Sequence, residues 1–312
     1  MLRVYSAEQV HAALPWPGLV NHLAAAFGAG AEVPVRHSHS LGGADTLLLM
    51  PAWSSTALGV KLVTVMPGIA SRGASTVQAT YLLLDRNTGE PLALLDGEAL
   101  TLRRTAAASA LAARYMARAN ARCLLIVGGG RLAPWMARAH AALRPGIERV
   151  LVWARRAEAR DALAHLLRAE GLPAQAAPLL EAAVRAADIV SCATSSGEPL
   201  VKGAWLAPGT HLDLVGSFKV DMRETDDDAV LRARVCVDTY EGTLAEAGDL
   251  LQPLRAGRIK REHLVGELAE LVRGTVHGRQ STREITLFKS VGTALEDLAA
   301  ARMVVTAGMG IA

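Results

Sequence analysis

The sequence predicts an α/β chain of two domains, and three observations carry the prediction. From residue 122 onward, short runs rich in Val, Ile and Leu alternate with helix-forming segments, the pattern of βαβ units with a parallel sheet. One of these runs, Cys123 to Val127, breaks into Gly128-Gly129-Gly130 and resumes with helix formers. A strand that turns sharply into a helix over a phosphate looks like this. Before residue 100 the pattern differs, with successive strand-like runs and short turns that read as a mostly antiparallel sheet.

Length and composition fit this picture. A chain of 312 residues is ample for two cores. Hydrophobic residues make up 51% but aromatics only 4%, so the cores must be built from Ala, Leu and Val. The net charge of +3 is small and no basic run appears, which argues against nucleic-acid binding. Cys123, Cys192 and Cys236 each lie in an apolar run with no C-x-x-C pair, and read as reduced core thiols. No basic segment followed by an apolar one opens the chain, and no apolar run approaches the ~18 residues of a membrane span. A soluble, cytoplasmic protein with no membrane partner is expected.

Residues 6–27 read as helical, with Ser6 as a cap and Val10, Leu14, Leu19, Leu23 and Phe27 as the apolar positions. Pro15 and Pro17 must interrupt it, giving two short helices. Residues 33–39 read as extended, and strands are expected at 45–51, 58–66, 76–84 and 91–95, with Asp85 to Gly89 as a turn. A helix from Asp96 to about Arg118 is rich in Ala, so a neighbouring backbone can come very near it.

The second half predicts strands at 122–127, 148–153, 174–177, 188–193, 210–215, 234–238 and 285–288. Helices are expected at 131–143, 156–170, 179–186, 241–248, 263–273 and from Gly292 to Arg302. Gly128-x-Gly130-x-x-Ala133 is the dinucleotide fingerprint of a Rossmann domain. Gly128 permits the turn, Gly130 lets a pyrophosphate approach, and Ala133 lets the helix pack near the strand. Arg131 and Leu132, at the helix start, count with this cradle. So do Thr194, Val215 and Ser217, at or just beyond the ends of the strands predicted at 188–193 and 210–215. Enzymes for the unphosphorylated cofactor usually carry an acidic residue after the second strand. Here that strand ends in Ala154-Arg155-Arg156, two guanidiniums suited to a 2′-phosphate. NADP(H) is therefore the preferred cofactor, with NAD(H) as the alternative.

Other constellations carry less. His37 and His39 alternate without a carboxylate or Cys cluster nearby, so no metal site is expected. Asp226-Asp227-Asp228 reads as a helix N-terminus. Glu296-Asp297 reads as an interdomain or capping pair, and Ser191, Ser195 and Ser196 show no triad arrangement.

Several segments together resemble the ornithine cyclodeaminase/μ-crystallin family. They are Val35-Arg36, Gly59-Val-Lys61, Leu102-Arg-Arg104-Thr-Ala-Ala, Gly128-Gly-Gly130, Glu198-Pro-Leu, Val215-Gly-Ser-Phe-Lys, Met222-Arg-Glu224, Glu246-Ala-Gly-Asp249 and Phe288-Lys-Ser290-Val-Gly292, followed by Glu296-Asp297. They keep the family order and span nearly the whole chain.

The resemblance implies a substrate and dimerisation domain over 1–118, completed by the C-terminal helix 291–312, and a Rossmann domain over 119–290. It implies a homodimer through the N-terminal domain. It places Arg36, Lys61 and Arg104 on the substrate carboxylate, Thr105 and Ala106 near the cofactor pyrophosphate, and Ser290 and Gly292 at the nicotinamide end. The residues agree. Three cations repel unless they share an anion, and a lone Lys61 in an apolar strand must face a cavity or a carboxylate.

Family members act on α-amino or α-imino acids. Cyclodeaminases place an Asp two residues after the glycine matched here by Gly216, where this chain has Phe218. A distal ammonium needs a carboxylate partner in a closed site; Phe218 and Leu48 instead suit ring methylenes. The expected activity is reduction of a cyclic ketimine, Δ1-pyrroline-2-carboxylate or Δ1-piperideine-2-carboxylate, to proline or pipecolate. Lys61 and Arg104 are the catalytic candidates. The alternatives are an NAD-dependent ornithine cyclodeaminase and a non-catalytic NADPH or small-ligand binder like μ-crystallin.

Overall fold

The computed structural model of the chain describes residues 2–72 and 76–308. Residues 309–312 of the expected terminal helical segment lie outside them. The chain divides into two compact units, one of Met1–Thr105 with Thr293–Ala312, the other of Ala106–Gly292.

The first unit begins with β1 (Arg3–Tyr5), α1 (Ala7–Ala13) and α2 (Trp16–Ala29). Ser6 caps α1 in a capping box with Gln9. Pro15 separates the two helices as expected, since it cannot donate the amide that a continuous helix needs. Then come β2 (His37–Gly42), β3 (Asp45–Trp53), β4 (Leu58–Val65), β5 (Val77–Leu84) and β6 (Pro91–Asp96). The sheet order is β1-β6-β5-β4-β3-β2. All neighbours are antiparallel except β1, which lies parallel to β6. The sequence missed β1, because three residues carry no readable alternation and its partner lies far along the chain.

Alternation divides this sheet into two faces. Met50, Ala52, Val63, Tyr81, Leu83 and Leu95 are buried. Tyr81 fits because Gly59 lacks a side chain: a Cβ there would lie 2.2 Å from the Tyr81 hydroxyl. The other face is also apolar. Leu49 pairs with Leu62, and Val60 with Leu82, which pairs in turn with Leu94. Leu62 is 38% exposed.

Helix α3 (Gly97–Met116) carries the chain into the second unit. Its Ala106, Ala107, Ala108, Ala110, Ala112 and Ala113 are all buried, which the small side chain permits on every face. The second unit then runs β7 (Cys123–Val127), α4 (Ala133–Leu143), β8 (Arg149–Trp153), α5 (Ala157–Ala169), β9 (Ala174–Ala176), α6 (Leu180–Ala186), β10 (Ile189–Cys192) and β11 (His211–Leu214). It continues with α7 (Asp227–Arg232), β12 (Ala233–Val237), α8 (Tyr240–Glu246), α9 (Gly248–Arg255), β13 (Leu264–Glu267), α10 (Leu268–Arg273) and β14 (Ile285–Lys289). Helix α11 (Ala294–Gly308) returns to the first unit and packs on α2 and on β3, β4 and β5.

All eight strands of the second sheet are parallel, in the order β13-β12-β14-β11-β10-β7-β8-β9. From β9 to β14 this is the doubly wound order, reversing direction between β7 and β10. Strands β7, β10, β11 and β14 are buried at every residue; β7 is an unbroken apolar run, whereas Ser191, His211, Asp213, Thr286 and Lys289 are buried polar residues within the other three. All three cysteines are free and buried, and burial pushes the Cys236 thiol up to about 12.

One expected element needs correction. The helix predicted at 263–273 is a strand followed by a shorter helix, β13 and α10. Leu264, Gly266 and Glu267 pair with β12, and Gly266 approaches Val276 so closely that a Cβ would lie 2.8 Å from it. Helix α9 was missed because Gly248 and Pro253, both helix-breaking residues, lie within it.

Candidate active site

A candidate site in the second unit is the turn from β7 into α4. Gly128 has φ +135°, and a Cβ there would lie 2.7 Å from the Ala193 carbonyl, so the position requires glycine. A Cβ on Gly130, in contrast, would meet nothing within 4 Å. Close packing at the first glycine and open space at the third make a cradle for a pyrophosphate. No side chain caps α4, whose first turn carries Pro134. A cavity of about 270 Å³ opens here, with Gly128, Gly130, Ala154, Arg155, Arg156 and Thr194 in its lining. Six of the residues expected at a nucleotide therefore share one pocket. Arg155 and Arg156 are both exposed, at the end of β8 where an NAD enzyme would show an acid. Arg131, Leu132, Val215, Ser217, Ser290 and Gly292 do not line this cavity. Val215 and Ser217 follow β11 and Ser290 and Gly292 follow β14, at the carboxyl ends where dinucleotides bind in such sheets. The Ser217 hydroxyl is buried with no hydrogen-bond partner among the described residues. These features fit a nicotinamide dinucleotide.

Buried carboxylates that the sequence reading left without a role hold the loops beyond these strands. Glu224 Oε1 accepts from the Thr194 amide at 2.7 Å and its hydroxyl at 2.8 Å, while Oε2 accepts from the Gly216 amide at 2.8 Å. Burial, reinforced by Asp249 and opposed by Lys289, pushes Glu224 up to about 7. Asp249 Oδ1 accepts from the Glu224 and Thr225 amides at 2.7 and 3.0 Å, and its Oδ2 lies 3.4 Å from Lys289 Nζ. Asp238 Oδ2 accepts from the amides of Val291 and Gly292 at 2.8 and 2.7 Å. One signal for this network was present in the sequence: Lys289 stands alone in an apolar strand, just as Lys61 does.

A second candidate cluster lies in the first unit. Lys61 on β4 is 3% exposed, Arg104 on α3 is 5% exposed, and Glu296 and Asp297 in the first turn of α11 are fully or nearly fully buried. Lys61 Nζ lies 2.7 Å from Asp297 Oδ2. Arg104 donates from Nε to Asp297 Oδ1 at 3.0 Å and from Nη1 to Glu296 Oε2 at 2.6 Å. Lys61 also donates to Thr101 Oγ1 at 3.4 Å. Burial lowers Lys61 to about 8, against the opposing pull of Asp297 and helped by the positive charges of Arg104 and Arg36. Burial alone would raise Asp297, but Arg104 and Lys61 outweigh it and hold the carboxyl below its ordinary value.

The structure thus brings Arg36 and Arg104 within electrostatic reach of Lys61. It corrects the view of Glu296 and Asp297 as an interdomain or capping pair. They are the counter-ions of two buried cations in their own unit, because buried charges require partners. The anion these cations share within the chain is Asp297. Thr105 is buried, whereas Phe218 is 44% exposed on the loop after β11. His37 and His39 are exposed on β2, and among the described residues no group of three or more His, Cys, Asp and Glu could hold a metal. No helix among them is long and apolar enough to cross a membrane.

The buried His140 and Ser191 both meet Asp213, at 3.1 and 2.7 Å. The carboxylate stands between the other two rather than behind the histidine, so this is not a nucleophilic triad.

Comparison with known proteins extends the match beyond these residues. The family model described as ornithine cyclodeaminase/mu-crystallin matches residues 4–308. A Delta(1)-pyrroline-2-carboxylate reductase from Colwellia psychrerythraea is 38% identical over 312 residues, covering 97% of this chain and 98% of the relative. The structure of the Thermococcus litoralis Delta(1)-pyrroline-2-carboxylate reductase, in complex with NADH and L-proline, is similar with a TM-score of 0.93 at 34% identity, covering 99% of this chain and 98% of that one. An archaeal alanine dehydrogenase dimer with bound NAD also aligns with a TM-score of 0.93, at 28% identity over 99% of this chain and 96% of that one.

Proposed function

This chain belongs to the ornithine cyclodeaminase/mu-crystallin family, and we propose that it is a nicotinamide-dependent reductase of a cyclic ketimine acid, Δ1-pyrroline-2-carboxylate or Δ1-piperideine-2-carboxylate. The observation that carries the proposal is the buried array of Lys61 and Arg104, held by Asp297 and Glu296. Lysine has three donors and arginine five, so these contacts leave donors over for the substrate's α-carboxylate. Arg36 adds positive charge beside Lys61. The reductase names of two relatives and the proline bound in one of them support the same reading.

The cofactor is NADP(H) in preference to NAD(H). Arg155 and Arg156 support this, since they line the nucleotide cavity where a ribose-binding acid would otherwise stand. Thr194, Val215, Ser217, Ser290, Gly292 and Thr105 are proposed as further contacts of the cofactor, with Gly128, Gly130, Arg131 and Leu132 at its pyrophosphate.

When bound, the nicotinamide supplies the hydride that saturates the carbon–nitrogen double bond. Lys61 and Arg104 fix the carboxylate and thereby the orientation of the imine carbon, and orientation provides most of the rate. Phe218 offers an apolar ring to the substrate's methylenes, and its lack of a carboxylate disfavours a diamino acid. A substrate that binds as the iminium needs no acid. One that binds neutral takes its proton from Lys61 Nζ, which, lowered to about 8, is a stronger acid than a free ammonium.

A homodimer is proposed through the outward face of the first sheet, where Leu49, Val60, Leu62, Leu82 and Leu94 form an apolar patch suited to a second copy. Three buried free thiols suit a reducing, cytoplasmic compartment. The functional test is a panel of cyclic imines and amino acids with NADPH and NADH, followed by the absorbance of the reduced nicotinamide. Oxidation of NADPH with a cyclic ketimine is expected. Ammonia release from ornithine with NAD, and none of that oxidation, would reverse the reading.

A further inference from the structure

We propose that Asp297 is the positioning residue of this reductase: one carboxylate on the first turn of α11 fixes Lys61 and Arg104 beside each other and keeps Lys61 a cation, so that their remaining donors serve the substrate carboxylate. The inference rests on the ketimine-reductase reading above.

The geometry divides the carboxylate between the two cations. Oδ2 takes Lys61 Nζ at 2.7 Å and Oδ1 takes Arg104 Nε at 3.0 Å. The three residues come from β4, α3 and α11, so the contact ties a strand to two helices. Asp297 is fully buried, and solvent cannot replace it. Of the three donors on Lys61, one goes to Asp297 and one to Thr101, leaving a third. Arg104 uses Nε and Nη1, and its Nη2 pairs with none of the described residues.

The charges around Lys61 show why the carboxylate matters. Burial, Arg104 and Arg36 all favour the neutral amine, and Asp297 opposes them. Glu296 pairs with Arg104 from the same turn of α11. The Tyr81 hydroxyl on β5, raised by burial and by Asp297, stays neutral. Without the charge of Asp297, the three remaining influences act together, and Lys61 loses its proton at a lower pH.

The test measures binding of pyrrole-2-carboxylate, whose ring nitrogen does not titrate near neutrality, to the protein with NADP+ from about pH 6 to about pH 9. In the wild type, affinity should fall above about pH 8, where Lys61 deprotonates. In Asp297→Asn that fall should move down by about one pH unit or more, so that affinity at neutral pH drops about twofold or more while NADP+ affinity is unchanged. Asp297→Glu should restore the wild-type pH profile at weaker affinity. Lys61→Arg should abolish the fall across this range, because arginine stays charged.

A folded Asp297→Asn protein with the wild-type pH profile, or one that loses NADP+ affinity in parallel, would overturn the proposal. Should Asp297→Asn fail to fold, a Lys61→Arg protein that keeps the wild-type profile would do the same. A wild type that binds pyrrole-2-carboxylate and reduces a ketimine, with Asp297→Asn unshifted, sinks only the positioning role. A wild type that does neither sinks the functional reading, and this inference with it.

Discussion

Each unit of the chain buries a lysine in an apolar strand and sets an aspartate from a helix against it, yet the two clusters are built for different work. Around Lys61 the carboxylates of Glu296 and Asp297 face side-chain cations. Around Lys289 the carboxylates of Glu224 and Asp249 face mainly backbone amides of the loops beyond the strands. The first arrangement holds charged side chains in a fixed array with donors to spare. The second fixes the course of loops. A buried lysine in a strand therefore announces a carboxylate, but only what else that carboxylate touches tells whether the pair serves a ligand or the fold.

The contrast can be broken at either end. Arg104→Ala leaves Glu296 and Asp297 buried with less compensation. It should cost about 2–5 kcal/mol in kcat/KM for the ketimine, measured by steady-state kinetics. NADPH affinity should survive. Asp249→Asn neutralises the partner of Lys289 and should instead appear as lost stability, about 3–5 kcal/mol in urea unfolding. Near-wild-type stability there would show that the Lys289 pair is not what holds these loops.

Arg155 and Arg156 test the cradle itself. The double change to alanine should reduce kcat/KM with NADPH by about 1.5–3 kcal/mol, the worth of a charge-assisted hydrogen bond or two, and leave NADH nearly untouched. Equal losses with both cofactors would separate these arginines from a 2′-phosphate.

The smallest effect concerns pH. Burial raises Glu224 in the folded protein to about 7, above its ordinary 4.5, so the native state binds the proton more tightly than the unfolded chain does. Its contribution is complete below about pH 4.5 and is lost as pH rises through about 7. The Tm of the wild type should decline over that window, and Glu224→Gln should make the decline shallower. An identical decline in both proteins would assign it to another group.

The fold was legible where local pattern and tertiary environment agree. Strands β7, β10, β11 and β14 are buried throughout and rich in apolar residues, unbroken in β7 and interrupted by polar residues in the other three. Strand β13 was not legible, because Leu264-Val-Gly-Glu is four residues long and runs straight into α10. Strand β1 exists only through its pairing with β6. At the site, Lys61 was visible because an ammonium in an apolar strand is costly without a partner. Asp297 was seen as a residue but not as that partner. It meets Arg104 across 193 positions of sequence, and nothing local to Glu296-Asp297 distinguishes a counter-ion from a cap. Glu224 and Asp238 were invisible as loop anchors for a related reason. Their partners are backbone amides, which leave no mark on the sequence.

The most direct measurement is a steady-state assay of the purified protein with Δ1-pyrroline-2-carboxylate, Δ1-piperideine-2-carboxylate and ornithine, each with NADPH and NADH. Oxidation of NADPH by at least one cyclic ketimine, strongly reduced in Arg104→Ala, is the result expected. NADPH bound tightly but oxidised by neither ketimine, or ammonia released from ornithine instead, would contradict it.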